Sequence, residues 1–134
     1  MATIYHRINI FSNKATIYQA ITTQGGLSRW WIADCIAKAE LGFVNEFVVN
    51  EKLINKMKII DLKPNERVEW ECIESHAEWV GTKILFEIEE TDGVLYLDFK
   101  HSGWKKQSKF CGFCNFNWGK HLLMLKNLCE TGTV

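Results

Sequence analysis

Apolar and polar positions change period several times along the chain. From Thr3 to Phe11 they alternate, with Ile4, His6, Ile8 and Ile10 on one face, the period of a half-buried strand. Ser12 supplies an N-cap side chain, and Ala15 to Ile21 switches to helical spacing. Thr22-Thr23-Gln24-Gly25-Gly26 interrupts it, and Leu27 to Ile32 forms a second short helix carrying Trp30 and Trp31. Strand patterns return at Cys35–Ala39, Asn45–Val49 and Leu53–Leu62, separated by Gly42 and by Asn50-Glu51-Lys52. Lys63-Pro64-Asn65-Glu66 is a turn, because Pro presets φ at its second position and Asn tolerates the left-handed third. Val68, Trp70 and Cys72 then oppose Glu69 and Glu71. Val80 to Thr91 sets Thr82, Ile84, Phe86 and Ile88 against Lys83, Glu87 and Glu89. After the hairpin signal Thr91-Asp92-Gly93, Leu95, Leu97, Phe99 and His101 share one face and Tyr96, Asp98 and Lys100 the other.

The period changes for the last time at Ser108. Through about Glu130, Cys111, Cys114, Trp118, Leu122, Leu125 and Cys129 recur at three- and four-residue steps, one continuous helical face. A helix of about twenty residues spans ~30 Å, enough to cross the sheet of a small domain. Gly112 and Gly119 interrupt it seven residues apart, each at a cost of roughly 1 kcal/mol against Ala. The order β-α-α-β-β-β-β-β-β-α predicts an α+β fold in one domain, residues 1–134: a curved seven-stranded antiparallel sheet around a long C-terminal helix, with two short helices after the first strand. A sheet curved about a helix predicts a cavity between them, suited to something apolar.

Composition narrows the function classes. At 134 residues, with 47% apolar and 24% charged, the chain fits a single globular domain. Sixteen basic and sixteen acidic residues cancel, so nothing in the charge favours nucleic acid or an anionic membrane. No apolar run approaches the ~20 residues of a membrane span, and the opening MATIYHRINIF enters a strand directly rather than a leader. Five cysteines, an odd count, favour reduced thiols and a cytoplasmic setting.

The inward phases select candidate residues. Trp31, Met57, Trp70, Phe86, Phe99, Cys114 and Trp118 are the expected apolar lining, with His101 and Asn115 as polar members. His101 on the last strand and His6 on the first share the inward phase, so an imidazole pair acting as acid/base or as an anchor for a polar head is the main catalytic candidate. Asp34, just after Trp31, is a further candidate at the cavity mouth. His76 falls in a polar hairpin, and His121 on the inward half of the helix. Cys111-Gly-Phe-Cys114 has redox or zinc spacing, but both thiols lie on the apolar stripe, and His121 is about 10 Å along the axis from Cys114, too far to share one ion. No metal or cofactor is expected. Glu69/Glu71 and Glu87/Glu89 belong to the outer face. There is no nucleophile elbow, P-loop or dinucleotide fingerprint.

The segments AITTQGGLSRWW, LKPNERVEWECIESHAEWVGTKILFEIEE, LDFKHSGW and CNFNWGKHLLMLKNLCETG resemble the activator of 90-kDa heat-shock-protein ATPase homologue-like branch of the START/birch-allergen helix-grip superfamily, also called SRPBCC. The resemblance covers nearly the whole chain, though Asn13 stands where the family commonly has Pro. It implies the helix-grip fold and an apolar cavity. The superfamily includes lipid carriers, hormone receptors, cyclases and hydrolases, so fold alone leaves the activity open. The co-chaperone that names the branch has a separate chaperone-binding domain for which this length leaves no room, so chaperone activation is not expected. Three functions follow in order: binding of a small hydrophobic molecule by a monomer or homodimer; a cyclase- or hydrolase-type enzyme using His101; a chaperone-linked interaction module.

Overall fold

The alternating segments become seven strands in a computed structural model that describes every residue, Met1–Val134. They are β1 (Ala2–Asn9), β2 (Cys35–Ile36), β3 (Val44–Val49), β4 (Leu53–Lys63), β5 (Arg67–Glu74), β6 (Lys83–Thr91) and β7 (Val94–Trp104). Helices α1 (Lys14–Thr22) and α2 (Gln24–Trp30) follow β1, and α3 (Lys109–Thr131) closes the chain. Every strand pair is antiparallel, in the order β1-β7-β6-β5-β4-β3-β2, so the first strand returns to sit beside the last. Alternation decides which way each strand faces: Val68, Trp70 and Cys72 are buried, as are Ile84, Phe86 and Ile88. Register shifts in the β4–β5 pair, between Lys56 and Met57 and between Ile59 and Asp61, introduce bulges that help bend the sheet around α3. This is the α+β helix-grip architecture.

Turn chemistry fixes the hairpins. Asn65 takes φ 62° after Pro64, and the Glu66 N–H closes the turn on the Lys63 carbonyl at 3.0 Å. Asp92 and Gly93 both have positive φ, 52° and 77°, the twist that a tight hairpin requires.

Several boundaries differ from the pattern-based expectation, four of them for a local reason. The cap of α1 is Asn13, whose side chain accepts from Thr16 N at 2.8 Å, while the Ser12 N–H turns back to Ile10 O. Helix α2 starts at Gln24 rather than Leu27. Thr23 ends α1 and caps α2, its hydroxyl accepting from Gly26 N at 3.0 Å. Strand β2 stops after Ile36, and the Lys38 N–H is taken at 3.2 Å by the side chain of Asn45 instead of by a strand. Strand β6 starts at Lys83 because Trp79–Gly81 is a turn, Thr82 N bonding Trp79 O at 2.9 Å.

Helix α3 starts on the Ser108 hydroxyl, which accepts from Cys111 N at 3.0 Å. It ends at Gly132, whose φ of 82° is the left-handed conformation glycine adopts without a Cβ penalty. Its buried stripe runs through Cys111, Cys114, Trp118, Leu122, Leu125 and Leu128, with Cys129 half-buried beside Leu128.

Candidate functional site

The space between α3 and the sheet is occupied by rings. Trp118, from the middle of α3, lies 4.5 Å between centroids from Phe99 on β7 and 5.1 Å from Trp31 just after α2. Trp31 in turn stands 5.8 Å from Trp70, and Trp70 5.1 Å from Phe86. Met57, Trp70 and Phe86 are fully buried, and Phe99 nearly so. Of the nine side chains expected to line a cavity, these four form the floor beneath Trp31 and Trp118. They define the shape of the site without standing on its wall.

His101 belongs to the same interior. It is 0% exposed, and the rings of Trp79, Trp104 and Trp118 surround it. Its Nδ1 accepts the indole N–H of Trp118 at 3.2 Å, and its Nε2 faces the Thr82 hydroxyl at 2.8 Å. The Thr82 hydroxyl also bonds the Trp79 carbonyl at 2.6 Å. Since a carbonyl can only accept, that hydroxyl donates to Trp79 and accepts from His101. Burial pushes the imidazole well below its ordinary range, to about 3.

Beside this core is a half-open cleft of about 400 Å³. Trp31 and Ile32 bound it on one side and the α3 residues Phe110, Phe113, Cys114, Asn117, Trp118 and His121 on the other, with Val49, Asn55 and Trp79 closing the end. Eight of its eleven lining residues are hydrophobic and none is an acid, a lysine or an arginine. Its polar groups have assignable roles. His121 Nδ1 meets the Trp30 carbonyl at 3.2 Å, so Nδ1 donates and Nε2 is the acceptor of the neutral ring. Asn55 is 4% exposed and its Oδ1 accepts from the Ser75 hydroxyl, so its Nδ2 protons are what it can offer the cleft. Such a set can hold an apolar body and align one donor and one acceptor on it.

The other candidates lie elsewhere. His6 does not meet His101: it sits over the outer side of α3, donating from Nε2 to Asn115 Oδ1 at 2.8 Å. A Cβ on Gly119 would stand 3.5 Å from His6 Cε1, an ordinary contact, so it is the Asn115 bond that orients the imidazole. Asp34 is exposed and outside the cleft, its carbonyl taking the Val48 N–H at 2.9 Å. His76 is exposed and stacks on Phe110 at 4.1 Å. All five cysteines are unpaired, and burial raises every one of these thiols, Cys72 and Cys129 to about 11. No three His, Cys, Asp or Glu side chains converge as a metal site would need. A larger hollow of about 570 Å³ lies between β1 and the start of α3, but Lys105, Lys106 and Gln107 line it and only five of its eleven residues are hydrophobic.

Asn55, Trp79 and Phe113 lie outside the lining that periodicity predicts, whereas Asn117, which flanks the helix stripe beside Asn115, does reach the cleft. Asn55 carried a usable signal, a polar residue in the inward phase shared by Met57 and Ile59 on β4. Trp79 carried none, since it lies in a turn without periodicity.

The family model described as "Activator of Hsp90 ATPase homolog 1-like protein" matches residues 12–130. Among solved structures the chain is similar to the Aha1 dimer from Colwellia psychrerythraea, with 34% identity over the full length of both chains and a TM-score of 0.90. It also resembles protein MLL2253 from Mesorhizobium loti (14% identity, 95% of this chain and 96% of that one, TM-score 0.82). Protein SSP2350 from Staphylococcus saprophyticus is alike to the same degree (15% identity, 99% and 95%, TM-score 0.82). The last two share the fold. No curated protein matches the chain.

Proposed function

The chain belongs to the family of Activator of Hsp90 ATPase homolog 1-like proteins, and on that basis we propose that it binds a small, uncharged, largely apolar molecule in the cleft between Trp31 and α3. The observation that carries this reading is the lining itself. Apolar walls without a charged side chain meet a few polar groups, His121 Nε2 and the Asn55 amide among them, which can orient a guest. The same lining supports binding over catalysis. The acid/base candidates His6, His101 and Asp34 occupy three separate places, and no carboxylate stands beside His121 in the cleft.

Two further properties are proposed with it. The Colwellia relative is a dimer, and we carry homodimerisation to this chain. Five unpaired thiols support a reducing compartment such as the cytoplasm. No helix is long and apolar enough to cross a membrane.

The test is a thermal-shift series with uncharged aromatic compounds, fatty alcohols and sterols. A compound at a hundredfold excess over its Kd stabilises the folded state by about 2.7 kcal/mol. Stabilisation by at least one class, lost in Asn117→Phe, which fills the cleft with a ring, is the expected outcome. Absence of any shift across all classes, or a shift unchanged in Asn117→Phe, overturns the reading.

A further inference from the structure

Helix α3 carries a second apolar stripe on the side away from the sheet. Phe113, Phe116 and Leu123 are 63%, 68% and 56% exposed, large values for such residues, and they share one narrow face with Lys120. Their spacing continues on both sides: Lys109, Phe113, Phe116, Lys120, Leu123 and Asn127 follow steps of four, three, four, three and four. That is the seam of a two-helix coiled coil, and one side of it is unoccupied within the chain.

The stripe is its own complement in one orientation only. Laid antiparallel on a second copy about a two-fold axis level with Trp118, Phe113 faces Leu123 of the other copy, Phe116 faces Lys120, and Lys109 faces Asn127. No like charges meet. The Lys120 ammonium already lies 5.5 Å from the centroid of the Phe116 ring within the chain. Across the axis the same cation–ring contact recurs twice. Laid parallel and in register, Lys109 and Lys120 would each face themselves, which is repulsive. A net charge of zero leaves little long-range repulsion between copies.

We propose that the exposed stripe of α3 is the interface of a two-fold homodimer, with the two α3 helices packed antiparallel. This rests on the homodimer reading and adds where and how the copies meet. The interface is isologous, as a two-fold dimer requires. From Lys109 to Asn127 the stripe is about 27 Å long, which makes a contact at the lower end of specific interfaces. The dimer is therefore concentration-dependent. Phe113 belongs both to this seam and to the cleft, so the second copy stands over one wall of the ligand site.

Sedimentation equilibrium over a concentration series tests it with the whole chain. Leu123→Asp places a carboxylate against Phe113 at both ends of the seam, and its expected effect is a dimer Kd raised at least about thirtyfold, with the fold intact by circular dichroism. Orientation is read by mixing Phe116→Cys and Lys120→Cys proteins under mild oxidation: the mixture forms a cross-linked heterodimer faster than either variant alone. A wild type that stays monomeric throughout overturns the homodimer reading and this inference with it. A dimer that Leu123→Asp leaves intact, or cross-linking equal in the single variants, overturns the seam alone.

Discussion

Trp118 donates its indole N–H to Nδ1 of His101 at 3.2 Å, and this bond fixes where the histidine keeps its proton. With Nδ1 accepting, the proton sits on Nε2 and points at Thr82 Oγ1, 2.8 Å away. A second proton on Nδ1 would face the indole N–H, and the surrounding rings offer it no counter-charge. Protonation therefore opposes folding. Between the ordinary value of 6.5 and the folded value of about 3, the unfolded chain binds a proton that the folded chain does not. Stability from this residue is complete above pH 6.5 and falls by roughly 1.4 kcal/mol per unit as the pH drops toward 3. Urea midpoints at pH 7 and pH 5 check this. His101→Phe, which cannot titrate, is expected to be less stable at pH 7 and to decline less steeply. Parallel declines would place the pH dependence elsewhere.

Thr82 closes the same network. Its hydroxyl satisfies both His101 Nε2 and the Trp79 carbonyl inside a region that water does not reach. Thr82→Val keeps the shape and leaves the His101 Nε2–H without a partner, at about 1–3 kcal/mol for that buried group, while the Trp79 carbonyl keeps the Thr82 backbone N–H at 2.9 Å. Destabilisation of roughly 1–3 kcal/mol is expected, with Thr82→Ser retaining most of the wild-type value. Chemical denaturation measures it, and a Val variant as stable as wild type would contradict the chain of bonds.

The thiols are expected to be slow. Nucleophilic attack needs thiolate, and burial raises the Cys72 and Cys129 thiols to about 11 and lifts Cys35, Cys111 and Cys114 as well. At pH 8 an Ellman assay on the native protein is expected to develop slowly, and to reach all five thiols in denaturant. Rapid reaction of two thiols in the native state would instead point to an activated Cys111–Cys114 pair.

Periodicity carried most of the fold and less of the site. Alternation in Val68–Cys72 and the three- and four-residue steps through Trp118 are signals of a whole element, so strands and helix were legible. Where β2 ends was not, because a tertiary bond from Asn45 captures the Lys38 N–H. In the site, phase shows that Trp70, Phe86 and Phe99 point inward. It cannot show that their neighbours fill the space around them, which is a matter of three-dimensional volume. The same limit applies to His6 and His101. They share a phase on adjacent strands, yet Ile4, not His6, is opposite His101 in the ladder. His6 instead lies level with Phe99, within reach of Asn115.

Gly25 and Gly26 are adjacent in α2 and are expected to respond oppositely to the same substitution. A Cβ on Gly26 would stand 2.6 Å from Ala20 Cα and 2.7 Å from the Gln19 carbonyl oxygen, both backbone atoms of α1. Neither can move without separating the two helices, which share Thr23 as a cap. Gly26→Ala is therefore expected to destabilise by about 1–3 kcal/mol, the usual cost of overpacking a tight contact. It also tilts α2 away from α1, and with α2 go Trp30 and the start of the cleft at Trp31. A Cβ on Gly25 meets nothing within 4 Å, and alanine is the better helix former. Gly25→Ala is expected to stabilise by up to about 1 kcal/mol. Thermal unfolding of the two variants decides the matter: Gly26→Ala must lie below wild type and Gly25→Ala at or above it. If both move the same way, the close approach of α1 and α2 at Ala20 is not what holds Gly26 in place.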